Sequence, residues 1–131
     1  MIFLDTNFIV SYFVKGHDFY NRSNRLFDEY QNEEMIISNL IINEVTNTLN
    51  FKLKKSINEI EKVYNNISND FIVLDDSKYN HEALEYVKCF YPERIPFNDC
   101  IFMAVMENYG ITEILSFDSH FDLNENITRI Y

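Results

Sequence analysis

Four acids sit at widely separated points of this 131-residue chain, each at the end or the opening of a local pattern. Asp5 follows Ile2-Phe3-Leu4, Glu44 lies within Ser38 to Phe51, Asp99 falls in Pro96-Phe97-Asn98-Asp99, and Asp118 follows Ile114-Leu115-Ser116-Phe117. If a fold gathers them, the carboxylates repel one another by ~4 kcal/mol per ionised pair at 4 Å and an effective dielectric near 20. Ionised acids in one pocket therefore require cations to hold them. Divalent ions that prefer oxygen ligands, Mg²⁺ or Mn²⁺, suit such a set and with it phosphodiester chemistry.

The elements that must position these acids are legible as alternating patterns. Short apolar runs at Ile2-Phe3-Leu4, Met35-Ile36-Ile37, Phe71-Ile72-Val73-Leu74 and Ile114-Leu115 lack the polar alternation of a half-exposed sheet, which predicts strands buried on both faces. Between them apolar residues recur at helical spacing: Phe19, Ser23, Leu26, Phe27 and Tyr30; then Ile41, Val45 and Leu49; then Ile57, Ile60, Tyr64 and Ile67. The pattern resumes at Ala83, Leu84, Val87 and Tyr91, and again at Phe102, Val105, Met106 and Tyr109, with Gly110 placed to end the helix that begins near Asn98. A final short strand near Ile127 to Ile130 belongs at a sheet edge. The alternation predicts an α/β fold, a sandwich built on a parallel sheet.

Active sites of open parallel sheets lie beyond the carboxyl ends of the strands, where connections diverge to opposite faces. Asp5 and Asp118 follow the first and fourth predicted strands. Asp99 occupies the first turn of a helix, where the macrodipole favours an ionised carboxylate. Glu44 flanks the Ile41, Val45, Leu49 stripe, so its head emerges beside the buried face. All four are expected at one end of one sheet.

Hydrophobic residues at 47% and aromatics at 16% of 131 residues supply one core and too little chain for two, so residues 1–131 are read as a single domain. No apolar run approaches the ~20 residues of a membrane span, and the N-terminus lacks the basic head and long apolar middle of a signal peptide. A cytoplasmic protein is expected. Cys89 and Cys100 lie in apolar segments without Cys-x-x-Cys spacing, which predicts two buried free thiols. With Gly16 and Gly110 as the only glycines, neither a Gly-rich phosphate loop nor a dinucleotide fingerprint is possible. Asn7 stands where a phosphatase with an aspartyl nucleophile needs a second acid. The net charge of −10 excludes general electrostatic affinity for nucleic acid, so any such contact must be local. Lys52, Lys54 and Lys55 form the densest basic edge and a candidate RNA contact; Lys15, Arg22 and Arg25 form a second. Either group also fits a solvated helix end.

The acid-bearing fragments resemble the PIN-domain ribonucleases, including the VapC-type toxins of toxin–antitoxin systems. The resemblance spans nearly the whole chain: Asp5-Thr6-Asn7, Ser38 with Glu44 six positions on, Asp99 with Ile101, Phe102 and Ala104 behind it, and Ser116-Phe117-Asp118-Ser119-His120-Phe121. It implies a PIN-like three-layer α/β/α sandwich with a central parallel sheet of four to five strands. It also implies that Asp5, Glu44, Asp99 and Asp118 form the catalytic, metal-binding quartet for Mg²⁺ or Mn²⁺, with Asn7 and Ser116 positioning a carboxylate or a metal-bound water. The implied reaction is hydrolysis of an RNA phosphodiester by water, with no nucleophilic side chain. Implied partners are the RNA substrate, an antitoxin that places a basic side chain among the acids, and a second copy in a homodimer.

Where family members often carry Thr and Arg before the fourth acid, this chain has Ser116 and Phe117, which removes an Arg phosphate contact and makes Phe117 a core filler. Taken singly, each acid also fits a structural role. Asp5 suits a helix N-cap, Asp99 a first-turn charge, Asp118 a turn cap, Glu44 a solvated helix acid, and Asp122 a plain loop. His120 reads as a turn histidine within reach of proton transfer. The alternative function is a non-catalytic PIN-fold binding module whose acidic pocket receives a basic side chain from a partner.

Overall fold

Five strands pair in parallel in the order β3-β2-β1-β4-β5 in the computed structural model, which describes residues 1–131 throughout. They are β1 (Ile2–Leu4), β2 (Met35–Ser38), β3 (Ile72–Leu74), β4 (Glu113–Leu115) and β5 (Thr128–Ile130). The connecting helices are α1 (Thr6–Phe13), α2 (Tyr20–Glu29), α3 (Asn39–Asn47), α4 (Ile57–Asp70), α5 (Asn80–Phe90) and α6 (Phe97–Tyr109). The chain winds outward from β1 to β2 and β3, then returns through α5 and α6 to lay β4 on the free flank of β1. Helices α1 to α4 pack with one another and α5 packs on α6, the two groups of a doubly wound three-layer sandwich. The switch in winding direction falls between β1 and β4, so the crevice opens where Asp5 and Ser116 emerge.

The core supports this crevice from below. Phe3 and Leu4 of β1, Ile37 of β2 and Ile114 and Leu115 of β4 have no exposed surface. Helix α6 is buried from Asp99 to Met106 without interruption, and its Phe102 ring meets Phe3 with centroids 5.7 Å apart. Each such side chain contributes about 1.5–3 kcal/mol by burial, which makes the strand ends a rigid base for the acids. Gly110 ends α6 at φ 68°, the left-handed conformation that a side chain disfavours.

Several expectations need correction. Burial on both faces holds for β1, β2 and β4 but not for β3, a margin strand whose Ile72 is 45% exposed. Helix α1 is absent from the expected helical patterns because Phe8, Ile9, Val10 and Ser11 are buried in succession, so no polar face marks its period. Cys100 is a buried thiol as expected; Cys89 is exposed, on the face of α5 turned from the core. Helix α3 runs on as a π-helical turn over Thr48–Lys52, and Lys54 then adopts a positive φ of 50° before Ser56 caps α4 by accepting from the Glu59 N–H. No helix is long and apolar enough to cross a membrane.

Candidate active site

Asp5 leaves β1 and caps α1. Its Oδ1 accepts from the Thr6 N–H at 2.8 Å, and its Oδ2 accepts from the Ser116 hydroxyl at 2.6 Å, from the end of β4. The same Ser116 oxygen accepts from the Asp118 N–H at 3.0 Å, and Asp118 Oδ1 accepts from the His120 N–H at 2.9 Å to cap a 3₁₀ turn over Ser119–Leu123. Asn7 Oδ1 accepts from the Phe117 N–H at 3.1 Å and ties α1 to the same loop. Glu44, reaching across from α3, accepts from the Thr6 hydroxyl and from Asn98 Nδ2 at 3.2 Å. Asp99 stands in the first turn of α6, with Oδ2 3.3 Å from His120 Nδ1, itself 3.1 Å from Asp118 Oδ1.

Asp5, Glu44, Asp99 and Asp118 thus line one cleft of about 350 Å³, together with Asn7, His17 and Lys52. The capping roles that each acid suits alone are realised at Asp5 and Asp118 and coexist with the shared site, because the strand end that supplies the cap also faces the crevice. Ser116, expected to position a carboxylate or a metal-bound water, donates to Asp5 Oδ2. Asn7 lines the cleft and accepts from the Phe117 N–H. Of the three lysines Lys52 lines the cleft, while Lys54, at a positive φ, and Lys55 stand outside its lining. In the second basic group, Arg22 donates to the Tyr131 carbonyl at 2.6 Å.

The electrostatics follow from burial and the crowding of like charges. Burial pushes the Asp5 carboxyl from 3.8 up to about 7; Asp99 and Glu44 push the same way, against the hydrogen bonds from Ser116 and Thr6. Burial likewise raises Asp99 to about 6, reinforced by Asp118 and Glu44 and opposed by His120. Protons therefore hold part of this cluster near neutrality, and a cation entering it takes their place. Asp99, Asp118 and His120 bring one ligand atom each within 4.8 Å of one another. Anionic oxygens with one imidazole nitrogen fit a small divalent ion, Mg²⁺ through the oxygens and Mn²⁺ through either donor type. Asp5 and Glu44 lie outside that tight trio, their oxygens already engaged by Ser116, Thr6 and Asn98.

His120, a turn histidine in the sequence, stands in the 3₁₀ turn with its ring beside Asp99 and Asp118, and Thr6 and Asn98 carried no sequence expectation. The signal for His120 was its spacing two residues beyond Asp118, which places it at the first turn that Asp118 caps.

An acidic crevice at the switch point of a five-stranded parallel sheet defines the class, and the PIN domain family pattern matches residues 2–125; the chain belongs to the PIN domain family. Solved structures of similar fold include VapC20 of Mycobacterium tuberculosis, described as a sarcin-ricin loop cleaving toxin, at 21% identity and a TM-score of 0.81 over 94% of each chain. VapBC2 of Rickettsia felis, bound to a DNA fragment from its promoter, shares 18% identity at a TM-score of 0.72, covering 99% of this chain and 98% of that one. FitAcB of Neisseria gonorrhoeae shares 15% identity at a TM-score of 0.70, covering 100% and 97%. At such identities the likeness speaks for the fold. No curated protein matches the chain by sequence.

Proposed function

We propose that this protein is a divalent-metal-dependent endoribonuclease and the toxin of a toxin–antitoxin pair. The observation that carries the reading is the convergence of Asp5, Glu44, Asp99 and Asp118, from four different elements, on one cleft at the switch point of the sheet. Asp99 and Asp118, with His120 beside them, would hold Mg²⁺ or Mn²⁺, and Asp5 and Glu44 would complete the shell directly or through water. A divalent ion there supplies Lewis-acid stabilisation of the phosphodiester and a water nucleophile at neutral pH.

The chain's own residues do the positioning. Ser116 and Thr6 hold the two oxygens of Asp5 in one rotamer, so Oδ2 faces the β4 end without reorganisation when substrate arrives. Thr6 and Asn98 hold Glu44, which would help orient or deprotonate the attacking water. Asn7 fixes the backbone that carries Asp118. Lys52, at the mouth, is the cation available to an RNA phosphate.

The toxin role draws support from the VapC20, VapBC2 and FitAcB likenesses. It carries with it a cytoplasmic location, a homodimer and an antitoxin whose basic side chain enters the acidic cleft. A second reading, the non-catalytic module that uses the cleft only to receive such a side chain, is favoured by the net charge of −10. Incubation of single-stranded RNA with the protein and Mg²⁺ or Mn²⁺, against EDTA, separates the two. Cutting is expected with metal alone and is expected to vanish in Asp99→Asn. Equal cutting in EDTA refutes the metal mechanism, and metal binding without any cutting leaves the binding module.

A further inference from the structure

An RNA-cutting protein of net charge −10 faces a binding problem that its cleft sharpens: Lys52 is the one lysine or arginine lining it. A single phosphate contact on single-stranded RNA supports a salt slope of only ~0.7 log units per decade. The cleft's own side chains therefore offer RNA little cationic attraction.

The structure offers an aromatic alternative beside the acids. Phe117, between Ser116 and Asp118, stacks on the fully buried Phe8 at 5.9 Å and 30°, and more closely on Phe19 at 4.4 Å and 18°. Phe19 stands one residue before α2 and keeps 41% of its surface exposed. Its neighbour His17, 5.9 Å away between ring centres, lines the cleft itself. His17 Nδ1 accepts from the Phe19 N–H at 3.1 Å, which leaves Nε2 as the ring's donor. The outermost ring of a stack rooted in the core thus stands at the rim of the crevice, next to the loop that holds Asp118. A flat ring braced from behind loses little entropy when a base covers it.

We propose that Phe19, backed by Phe117 and flanked by His17, is a stacking subsite for an unpaired base of single-stranded RNA near the scissile phosphate. This rests on the ribonuclease reading above. It gives Phe117 a role beyond filling the core, as the brace for Phe19.

The test compares wild type, Phe19→Leu and Phe19→Tyr on a short single-stranded RNA that the wild type cuts with Mn²⁺. The RNA is used intact or with the base beside the cut replaced by an abasic residue. Phe19→Leu is expected to lower kcat/KM by about 5- to 150-fold, the range of one base–aromatic stack, through KM with kcat retained. Phe19→Tyr is expected to restore it, and the abasic RNA to cost the wild type the same factor while costing Phe19→Leu nothing further. Wild-type kcat/KM is also expected to follow a shallow salt slope. Equal losses in Phe19→Leu and Phe19→Tyr would overturn the proposal in favour of packing. Unchanged cleavage by Phe19→Leu, or unchanged cleavage with loss of a protein partner at this face, also overturns it and leaves the nuclease intact. A wild type that cuts no RNA with any divalent metal removes both readings.

Discussion

Replacing Asp5 by Asn should make the metal-free protein more stable at neutral and alkaline pH, although it removes a carboxylate with two good hydrogen bonds. Asp5 is 5% exposed, and its carboxyl is raised from 3.8 to about 7, chiefly by burial. An acid whose folded value lies above its unfolded one keeps its full contribution below about pH 4 and loses it as pH rises through about 7. At 1.36 kcal/mol per pH unit, the gap between 3.8 and about 7 is worth about 4 kcal/mol, all of it lost on the alkaline side. Asn avoids that loss. Its Oδ1 can keep the Thr6 N–H, while its amide must donate to Ser116 where the carboxylate accepted, an exchange costing about 1 kcal/mol. Urea unfolding in EDTA, followed by circular dichroism from pH 4 to 8, should therefore show Asp5→Asn gaining about 2–4 kcal/mol at the alkaline end and almost nothing at the acid end. Mn²⁺ should narrow or close the gap: the wild type gains about 2.7 kcal/mol at one hundred times its dissociation constant, and the variant much less. Because the ion displaces protons from Asp5 and Asp99, its affinity should climb as pH rises through about 6 to 7. A variant less stable than wild type at pH 8, or a difference independent of pH, would refute this reasoning and leave Asp5 as a helix cap.

Two further outcomes follow from where the structure places particular side chains. Lys52→Gln alone should flatten the salt dependence of RNA cleavage by ~0.7 log units per decade, while Lys54→Gln with Lys55→Gln should leave it as in wild type; equal effects would show that the basic edge acts as a whole. Asp76 is buried and accepts from the Leu40 N–H at 2.8 Å at the start of α3, the helix that carries Glu44. Asp76→Ala should cost about 0.5–2 kcal/mol in urea unfolding, the range for a lost N-cap, and unaltered stability would show that α3 is held without it.

Much of this architecture is local and therefore legible. The apolar runs of β1, β2 and β4, the stripe of α6 and its stop at Gly110 depend on periods of two and of 3.6 residues, which neighbouring residues set among themselves. The placement of Asp5 directly after β1 and of Asp118 three residues past β4 is local too, so these acids could be read as candidates before any pairing was known. Helix α1 escaped because burial on all sides erases the period that would reveal it, and Cys89 was misplaced because an apolar neighbourhood in sequence does not say which way a helix face turns.

The remainder belongs to long-range pairing. Only the return of the chain from β3 across the sheet to β4 puts Ser116 against Asp5, 111 positions away, and Asn98 against Glu44, 54 positions away. Only that same packing sets His120 between Asp99 and Asp118, admits Lys52 to the cleft without Lys54 and Lys55, and raises Phe19 on Phe117 at its rim. The residue types of the site were thus determined by the sequence itself. Their raised carboxyls and shared hydrogen bonds were decided by the tertiary structure, because desolvation and Coulomb repulsion act through space and exist only once distant strand ends have been buried together.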